Sequence, residues 1–292
     1  MLKISMADPS TAVIDGVSDF NLTHTFMCGQ CFRWSEAENG EYTGVAFSRA
    51  IRMKLESSTL TIYNTSEEDV RAIWTRYLDL DRDYAAIKQI LSADRYVADA
   101  IKFGGGIHIL NQDIFECLIS FIISTQNQIP RIKKAVNSLA EMYGDALCAG
   151  GNKMYTFPTP AQLEHVNADD LACLKIGYRA PYITDAVQKV CSGEIDLSAI
   201  PDMSYADAKA ELMKIRGVGP KVADCVLLFS AGKSCAFPID VWVSRTMRTL
   251  YTGDSATNRE IEKYAEKLFG EYAGFAQQYL FYYARENGGI TK

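Results

Sequence analysis

The 292-residue chain has little of what marks exported, membrane-bound or metal-binding proteins. No basic N-terminal segment leads into an apolar run, and no apolar stretch reaches the roughly 18 residues that a transmembrane helix needs. These absences argue against a signal peptide and a membrane span, so we expect a cytoplasmic protein without membrane contact. The chain has only 3 histidines, and none is spaced to complete a zinc site.

Cysteine, in contrast, is well represented. The 8 cysteines, without an export signal, are typical of free thiols in a reducing compartment rather than of a disulfide framework. Cys28 and Cys31 form one C-x-x-C pair, but no second pair completes a zinc site, and no C-terminal run of four cysteines is present to hold an iron–sulfur cluster. Metal binding is therefore the less favoured alternative, and we expect no cofactor.

A surplus of basic charge is also lacking. The net charge of −6 and the pI of 5.2 argue against charge-driven nucleic-acid binding, because basic domains are its usual signature. Any contact with DNA must therefore be local. Basic residues do gather in the second half, at Arg131, Lys133, Lys134, Arg179, Lys214, Arg216, Lys221, Lys233, Arg245 and Arg248. Composition alone favours the alternative that these are scattered surface charges.

Alternation of apolar and polar residues predicts an antiparallel sheet in the first hundred residues. The alternating runs are QCFRW (30–34), EYTGVAF (41–47), AIRMKLE (50–56) and TLTIY (59–63). Helical spacing follows over 67–78 and 83–93, so the sequence predicts an α+β first domain over residues 1–105. Three glycines at 104–106 mark the predicted junction.

The second domain, residues 106–292, is predicted to be mostly helical. From about residue 111 the strand pattern disappears, and apolar residues recur at intervals of three and four. This spacing occurs over 114–124, 131–144, 160–166, 180–191, 205–215, 221–231 and 240–250. We expect about eight helices in this domain.

The segment RGVGPKVADC (216–225) has the strongest chemical signal. Gly217 and Gly219 form a tight turn between two helical segments, and Pro220 suits a first helical position, which predicts a helix-hairpin-helix near 208–231. The free N–H groups of such a helix start bind anions, and DNA phosphates can be bound there without reading sequence. The phosphate-binding pattern G-x-x-x-x-G-K-[ST] is absent, which argues against nucleotide hydrolysis.

Lys221 lies in the first turn of the helix that follows this hairpin. The positive end of the helix dipole favours a neutral amine, which is the nucleophilic form of lysine. A phosphate-contacting lysine is the open alternative. Cys225 lies one turn further on the same helix face, although a core cysteine would also fit there. Asp240 precedes a further amphipathic helix, where a capping carboxylate can also stabilise a developing sugar cation.

The segment from 212 to 245, which contains the hairpin, the lysine and the aspartate, resembles the helix-hairpin-helix (HhH-GPD) superfamily of DNA glycosylases. It is most similar to the 8-oxoguanine DNA glycosylase/AP lyase branch. Further segments that resemble this branch in the same order are GQCFRW (29–34), 111–132, IGYRAPYI (176–183) and AGFAQQYLF (273–281). The resemblance covers nearly the whole chain and implies a TBP-like antiparallel sheet domain followed by a helical glycosylase domain.

The resemblance also implies an activity on double-stranded DNA that contains oxidised guanine, preferably opposite cytosine. Lys221 would displace the flipped base at C1′ and form a Schiff base that leads to β-elimination, while Asp240 would stabilise the positive charge on the sugar. The carbonyl of Gly29 would accept the N7 hydrogen that distinguishes 8-oxoguanine from guanine.

The resemblance also implies which residues would make the other contacts with the base and with the duplex. Gln277 and Phe281 would bind the base edge and one base face, with Cys225 against the other face. Gln126 and Asn127 would fill the space that the flipped base leaves, and Tyr178 would act as the wedge. Arg131 and Arg179 would bind the orphaned cytosine, and Gly217 and Gly219 would contact the DNA backbone.

This chain departs from the animal and fungal branch of that family at two positions. It has Trp242 where that branch has a histidine, and Ala284 where that branch has an aspartate. The departures leave the phosphate contacts of that branch in doubt. The short N-terminus and compact end favour a bacterial-type member without a targeting tail. We expect a monomer that is cytoplasmic and associated with the nucleoid. Two alternatives remain, a monofunctional glycosylase for alkylated bases and a noncatalytic hairpin module. Lys221 argues against both.

Overall fold

The computed structural model describes residues 2–149 and 151–289. Met1, Gly150 and residues 290–292, which include the outer ends of both predicted domains, lie outside the described residues. The first part of the chain forms six strands, β1 (Lys3–Asp8), β2 (Thr11–Asp15), β3 (Trp34–Glu36), β4 (Tyr42–Ala46), β5 (Arg49–Glu56) and β6 (Thr59–Tyr63). They form one antiparallel sheet in the order β1-β2-β6-β5-β4-β3, which confirms the predicted sheet.

The sheet buries one face because apolar residues alternate along its central strands. Ala12 pairs with Ile62, and Ile14 pairs with Leu60, and all four side chains are fully buried. Successive residues of a strand point to opposite faces, so this register places all four on the same side. The helices of the first part cover that side, where Trp74 is completely buried.

The helices of the first part are α1 (Leu22–Met27), α2 (Glu67–Asp69), α3 (Thr75–Tyr77), α4 (Tyr84–Leu91) and α5 (Arg95–Gly104). A π-helical segment, Val70–Trp74, connects α2 to α3, so the helix predicted over 67–78 is present with an irregular centre. The helix predicted over 83–93 is also confirmed. The sequence pattern did not reveal α5, which Asp94 caps by accepting the N–H groups of Tyr96 and Val97.

The second part of the chain is mostly helical, as predicted. Its elements are α6 (Ile114–Ser124), α7 (Ile129–Tyr143), β7 (Ala146–Ala149), β8 (Asn152–Tyr155), α8 (Pro160–Leu163), α9 (Ala180–Cys191), α10 (Tyr205–Leu212), α11 (Pro220–Ser230), α12 (Val241–Met247), α13 (Asn258–Phe269) and α14 (Ala273–Glu286). Among the described residues, no helix combines the length and the hydropathy that a membrane span requires.

The expectation that strands disappear after about residue 111 is wrong. Strands β7 and β8 form an antiparallel hairpin within the helical part. Leu147 and Met154 pack against Val45 and Ala50 of the six-stranded sheet. The hairpin was missed because it is stabilised by contacts with a distant part of the chain, and its own four-residue strands carry little pattern.

The strand predicted over 30–34 is also wrong for most of its length, since β3 begins only at Trp34. Gln30 is fully buried, and its amide donates hydrogen bonds to the carbonyl oxygens of Thr25 (2.9 Å) and His108 (2.7 Å). This side chain therefore joins backbone segments that are far apart in sequence. The buried polar group requires such partners, and they fix an irregular path for the chain.

Two apolar cores hold the molecule together. Trp34 and Trp74 lie in the core beneath the sheet, whereas Tyr84 of α4 and Val97 of α5 lie in the core of the helical part. Both helices precede the predicted boundary at 105/106, which stays a prediction. Helices α6, α11 and α14 all contribute to the second core, and the site described next lies among them.

Candidate active site

Two adjacent hollows lie beside the start of α11. A narrow cavity of about 50 Å³ is lined by Gly29, Phe121, Lys221, Cys225, Phe229, Pro238, Asp240, Gln277, Gln278 and Phe281. A wide cleft of about 820 Å³ runs past residues that include Ser124, Gln126, Asn127, Trp242, Arg245 and Arg248. Lys221 and Asp240 line both hollows. They therefore lie where a group that enters the cavity from the cleft would pass.

The predicted hairpin is present between α10 and α11. Gly217 has a φ of +82°, and a Cβ atom on it would lie 2.2 Å from the ring of Tyr182, so only glycine fits this turn. Gly219 precedes α11 and provides no side-chain cap, and Pro220 occupies the beginning of the helix. The first turn of α11 thus lacks a side-chain acceptor for its N–H groups, as an anion-binding helix start requires.

Lys221 points its amine toward α6. Its Nζ donates a hydrogen bond to Oγ of Ser124 at 3.1 Å and lies 4.9 Å from the ring centroid of Phe121. Cys225, one turn further along α11, lines the same cavity as predicted. Burial raises the pKa of this thiol to about 12, so it stays protonated near neutral pH. The thiol is therefore a poor nucleophile in this cavity.

Asp240 caps α12, as predicted. Its carboxylate accepts a hydrogen bond from the N–H of Val243 at 2.8 Å. Burial raises the pKa of this carboxyl, while the Val243 N–H and the charge of Lys221 act against that rise. The cavity thus holds a carboxylate and an amine as electrostatic partners, and a cation that forms beside Asp240 would be stabilised.

The opposite side of the cavity is formed by α14 and by the loop between α1 and β3. Gln277 is buried with 4% of its surface exposed, and its Oε1 has no hydrogen-bond partner among the described residues. Phe281 lies one turn further on the same face, as predicted, and is half-buried. Gly29 has a φ of +87°, and a Cβ atom on it would lie 3.2 Å from the Phe281 ring. The cavity therefore presents an unpaired amide oxygen beside an aromatic ring.

Three polar residues near the cavity, besides apolar lining residues, escaped the sequence analysis. Gln278 donates to the carbonyl oxygen of Cys28 at 2.9 Å, and Arg285 donates to that of Met27 at 2.6 Å. Ser124 accepts the hydrogen bond from the lysine amine described above. A second polar residue within the apolar run AGFAQQYLF was a usable signal for Gln278, whereas the other two depended on three-dimensional proximity.

Among the predicted DNA-contacting residues, Tyr178 and Arg179 are both linked to Gln126 by hydrogen bonds. Gln126 is exposed and has a φ of +48°, and Asn127 donates to the carbonyl of Ile123 at 3.1 Å. The hydroxyl of Tyr178, which is 50% exposed, lies 3.3 Å from Oε1 of Gln126. Arg179 is buried, and its guanidinium donates to the carbonyl of Gln126 at 3.0 Å. Its predicted contact with cytosine stays a prediction, since these donors hold the loop in the structure.

The remaining positions are spread over three helices. Arg131 is exposed in the first turn of α7. Trp242 lines the cleft, with the guanidinium of Arg245 lying 5.6 Å from its ring centroid, and Ala284 is fully buried in α14. Within residues 2–149 and 151–289, no three His, Cys, Asp or Glu side chains are grouped so that they could hold a metal ion.

Comparison with known proteins adds independent observations. Residues 13–118 match the family described as 8-oxoguanine DNA glycosylase, N-terminal domain, and residues 119–271 match the HhH-GPD superfamily of base excision DNA repair proteins. The N-glycosylase/DNA lyase OGG1 of Arabidopsis thaliana is 30% identical over 90% of this chain and 77% of its own length.

Solved structures agree with these sequence matches. The 8-oxoguanine glycosylase/lyase of Clostridium acetobutylicum, in complex with double-stranded DNA that contains cytosine opposite 8-oxoguanine, has a TM-score of 0.95 and 42% identity over 99% of this chain and 98% of its own. MBOgg1, in complex with a low-affinity DNA ligand, has a TM-score of 0.96 and 47% identity over 99% of both chains. The chain therefore belongs to the 8-oxoguanine DNA glycosylase family of the HhH-GPD superfamily.

Proposed function

We propose that this chain excises 8-oxoguanine opposite cytosine from double-stranded DNA and then cleaves the strand at the abasic site. Its relatives are described as N-glycosylase/DNA lyases, and this chain is an enzyme of the same class. The substrate is supported by the Clostridium acetobutylicum homologue, which was solved with cytosine opposite 8-oxoguanine. The mechanism and the role of each residue are those that the family resemblance implies, and the geometry of the site supports them.

One observation carries the proposal. One narrow cavity is lined by an amine (Lys221), a carboxylate (Asp240) and a buried amide oxygen (Gln277) that has no hydrogen-bond partner within residues 2–149 and 151–289. An unpaired buried acceptor costs free energy, so its retention at a cavity wall supports a ligand that donates hydrogen bonds. The Watson–Crick edge of a guanine-type base carries such donors. An amine and a carboxylate are then available at the sugar to which that base is attached.

The base is first flipped out of the duplex, which costs a few kcal/mol. The neutral amine of Lys221 then forms a bond to C1′ while the C1′–N9 bond breaks, and the base leaves with that electron pair. Asp240 stabilises the positive charge on the sugar and takes part in the transfer of the amine proton. Ring opening gives a Schiff base, whose C2′ proton is removed so that the 3′ phosphate leaves by β-elimination.

The base itself is recognised on three sides. The carbonyl of Gly29 accepts the N7 hydrogen that guanine lacks, Gln277 binds the base edge, and the base stacks between Phe281 and Cys225. A site built around one such hydrogen bond can reject the analogue that lacks it, because the buried acceptor is then left unpaired. This arrangement agrees with the wall positions that these residues occupy.

Other residues bind the phosphates of the damaged strand and the cytosine of the opposite strand. Gly217 and Gly219 present backbone N–H groups to a phosphate. Gln126 and Asn127 fill the space that the flipped base leaves, and Tyr178 acts as the wedge. Arg131 and Arg179 bind the orphaned cytosine. Arg179 must exchange its carbonyl partners for the base, so we expect the loop at Gln126 to rearrange when DNA binds.

Borohydride trapping tests the mechanism. Wild type and Lys221→Gln are incubated with a duplex containing 8-oxoguanine opposite cytosine and with an undamaged duplex, and the covalent adduct is measured. We expect an adduct only with wild type on damaged DNA. Base release without an adduct would point to water as the nucleophile, and no release at all would leave a noncatalytic binding module.

We further propose that the active form is a monomer. Scattering or sedimentation with and without duplex would detect a dimer. Because the substrate is DNA, we also propose action at the nucleoid within the cytoplasm, which imaging of a fluorescent fusion would test.

A further inference from the structure

Arg285 lies on α14, one turn beyond Phe281. Its Nη2 donates to the carbonyl of Met27 at 2.6 Å, and its Nε pairs with Glu286 at 2.8 Å. The guanidinium carbon lies 5.4 Å from the ring centroids of both Phe281 and Tyr282. Only 15% of the side chain is exposed. This arginine is therefore packed behind the aromatic wall of the cavity rather than extended into solvent.

The third guanidinium nitrogen of Arg285 indicates a role beyond packing. Nη1 is buried and has no hydrogen-bond partner among the described residues. It lies 3.0 Å from the position that a Cβ atom on Gly29 would occupy, next to a ring carbon of Phe281 at 3.2 Å. An unpaired buried donor is costly, and an apolar side chain of similar length would avoid that cost. Packing alone therefore does not explain an arginine here.

Arg285 and Gln278, both on α14, bond to the backbone of the loop that precedes Gly29. Gln278 donates to the carbonyl of Cys28, and Arg285 donates to the carbonyl of Met27. Two successive carbonyl groups just before Gly29 are thus fixed from α14. The remaining backbone freedom of this loop lies at Gly29 itself, whose positive φ only glycine adopts readily. Side chains of α14 therefore hold the backbone immediately before Gly29.

Helix α14 also carries Gln277 and Phe281, which line the other side of the base cavity. We propose that Arg285 is a positioning residue for recognition of the damaged base. It ties the loop of Gly29 to α14, so that the Gly29 carbonyl lies at hydrogen-bonding distance from N7 when the base stacks on Phe281. The proposal rests on the proposed function, because it assumes that 8-oxoguanine occupies this cavity.

The two activities of the enzyme separate this role from a general structural one. Base excision needs the pocket, whereas strand cleavage at a preformed abasic site has no base to position and needs only DNA binding and the amine. The variants are Arg285→Met, which keeps the packing, and Arg285→Lys, which keeps a donor for Met27. The control is Arg71→Met, which removes an arginine from an exposed helical ion pair with Glu67.

Each protein is given two duplexes under single-turnover conditions, one with 8-oxoguanine opposite cytosine and one with an abasic site opposite cytosine. We expect Arg285→Met to lower the excision rate by about 10- to 100-fold, with abasic-site cleavage within about twofold of wild type. Arg285→Lys should recover part of the excision rate, and Arg71→Met should change neither rate. Thermal unfolding is followed for every variant, and the ratio of the two rates is compared among those that fold.

The possible outcomes are distinct. Equal loss of both activities in Arg285→Met and Arg285→Lys would overturn the proposal in favour of a structural role, and so would unchanged excision. If Arg285→Met does not fold, the ratio of the two rates in Arg285→Lys decides, and a ratio equal to that of wild type rejects the proposal. Failure of wild type itself to excise 8-oxoguanine would instead reject the proposed function, and the role of Arg285 with it.

Discussion

Two helices begin beside the proposed reacting centre, and they begin in opposite ways. Helix α11 follows Gly219, which provides no side-chain cap, and carries Lys221 in its first turn. Helix α12 follows Asp240, whose carboxylate accepts the N–H of Val243. One helix start therefore presents an amine and open backbone donors, and the other presents a carboxylate that is already bonded to its own backbone.

The difference shows how one backbone feature can serve two electrostatic purposes. Free N–H groups at a helix start attract an external anion, which suits a DNA phosphate at the hairpin. At the start of α12, the N–H of Val243 bonds to the carboxylate of Asp240 and favours its ionised form. Burial alone would favour the neutral acid at this half-buried position. A sugar cation formed between the two starts would lie near a fixed negative charge. The following predictions test this contrast, from the largest expected effect to the smallest.

Asp240→Asn separates the charge of the aspartate from its cap. Asparagine caps a helix about as well as aspartate, so we expect the free energy of unfolding to change by less than about 1 kcal/mol. The excision rate should fall by about 10²- to 10³-fold, because the charge that stabilises the sugar cation is lost. Single-turnover excision and thermal unfolding measure the two effects on the same protein.

The matched control for this substitution is Asp83→Asn, at a residue that caps α4 by accepting the N–H of Ala86 at 2.9 Å. It makes the same chemical change away from the cavity and should leave excision unchanged. A wild-type excision rate in Asp240→Asn would mean that this aspartate is only a cap, and that the two helix starts differ in structure but not in catalysis.

The pH dependence of excision examines the same charge without changing the protein. Burial raises the pKa of Asp240, so its catalytic ionised form is lost at a higher pH than for an ordinary aspartate as the solution is acidified. The rate should fall about tenfold for each pH unit below that pKa, and Asp240→Asn should lack the part of the acid limb that comes from this carboxyl. An identical limb in the variant would assign it to another group, such as Asp224, whose pKa burial raises to about 6.

Gly219→Asp would remove the contrast by giving α11 the kind of cap that α12 has. The position has open space for a side chain and its backbone is extended, so the substitution is sterically allowed. We expect DNA binding to weaken by about fivefold, because the carboxylate competes with a phosphate for the same N–H groups, and the salt dependence of binding to become shallower. Fluorescence anisotropy on one duplex at several salt concentrations measures both.

Ser204→Asp is the control for the added charge, since Ser204 already caps α10, the other helix of the hairpin. It should weaken DNA binding less than Gly219→Asp does. If the two variants bind DNA equally weakly, general repulsion explains the loss, and the open helix start has no special role.

The parts of the site that could be predicted from sequence depend on local geometry. Lys221 and Cys225 share a face because they are four residues apart on one helix, and Gln277 and Phe281 do so for the same reason. Asp240 was expected as a cap because the chain restarts a helix directly after it. Each inference needed only the regular spacing of a helix, and the resemblance to a family supplied the chemistry.

The parts that could not be predicted depend on contacts between distant segments. Gln278 bonds to Cys28, 250 residues away, and Gln30 bonds to the backbone of His108, 78 residues away. No periodic pattern reports such a pair. The same limit explains the wrong strand at 30–34 and the missed role of Arg285, since both depend on which segments the fold brings together.

Ser124→Ala tests the smallest difference between the two helix starts, namely what holds each charged group in place. Asp240 is held by backbone N–H groups, whereas Lys221 donates to one hydroxyl, Oγ of Ser124, at 3.1 Å. Losing that acceptor should cost about 1 kcal/mol and slow adduct formation with borohydride by about fivefold. Ser230→Ala, at the other end of α11, removes a hydroxyl that donates to the carbonyl of Val226 in its own helix, and it should have no effect. If Ser124→Ala forms adduct as fast as wild type, the position of the amine is set by the start of α11 alone, and the contrast reduces to one of charge.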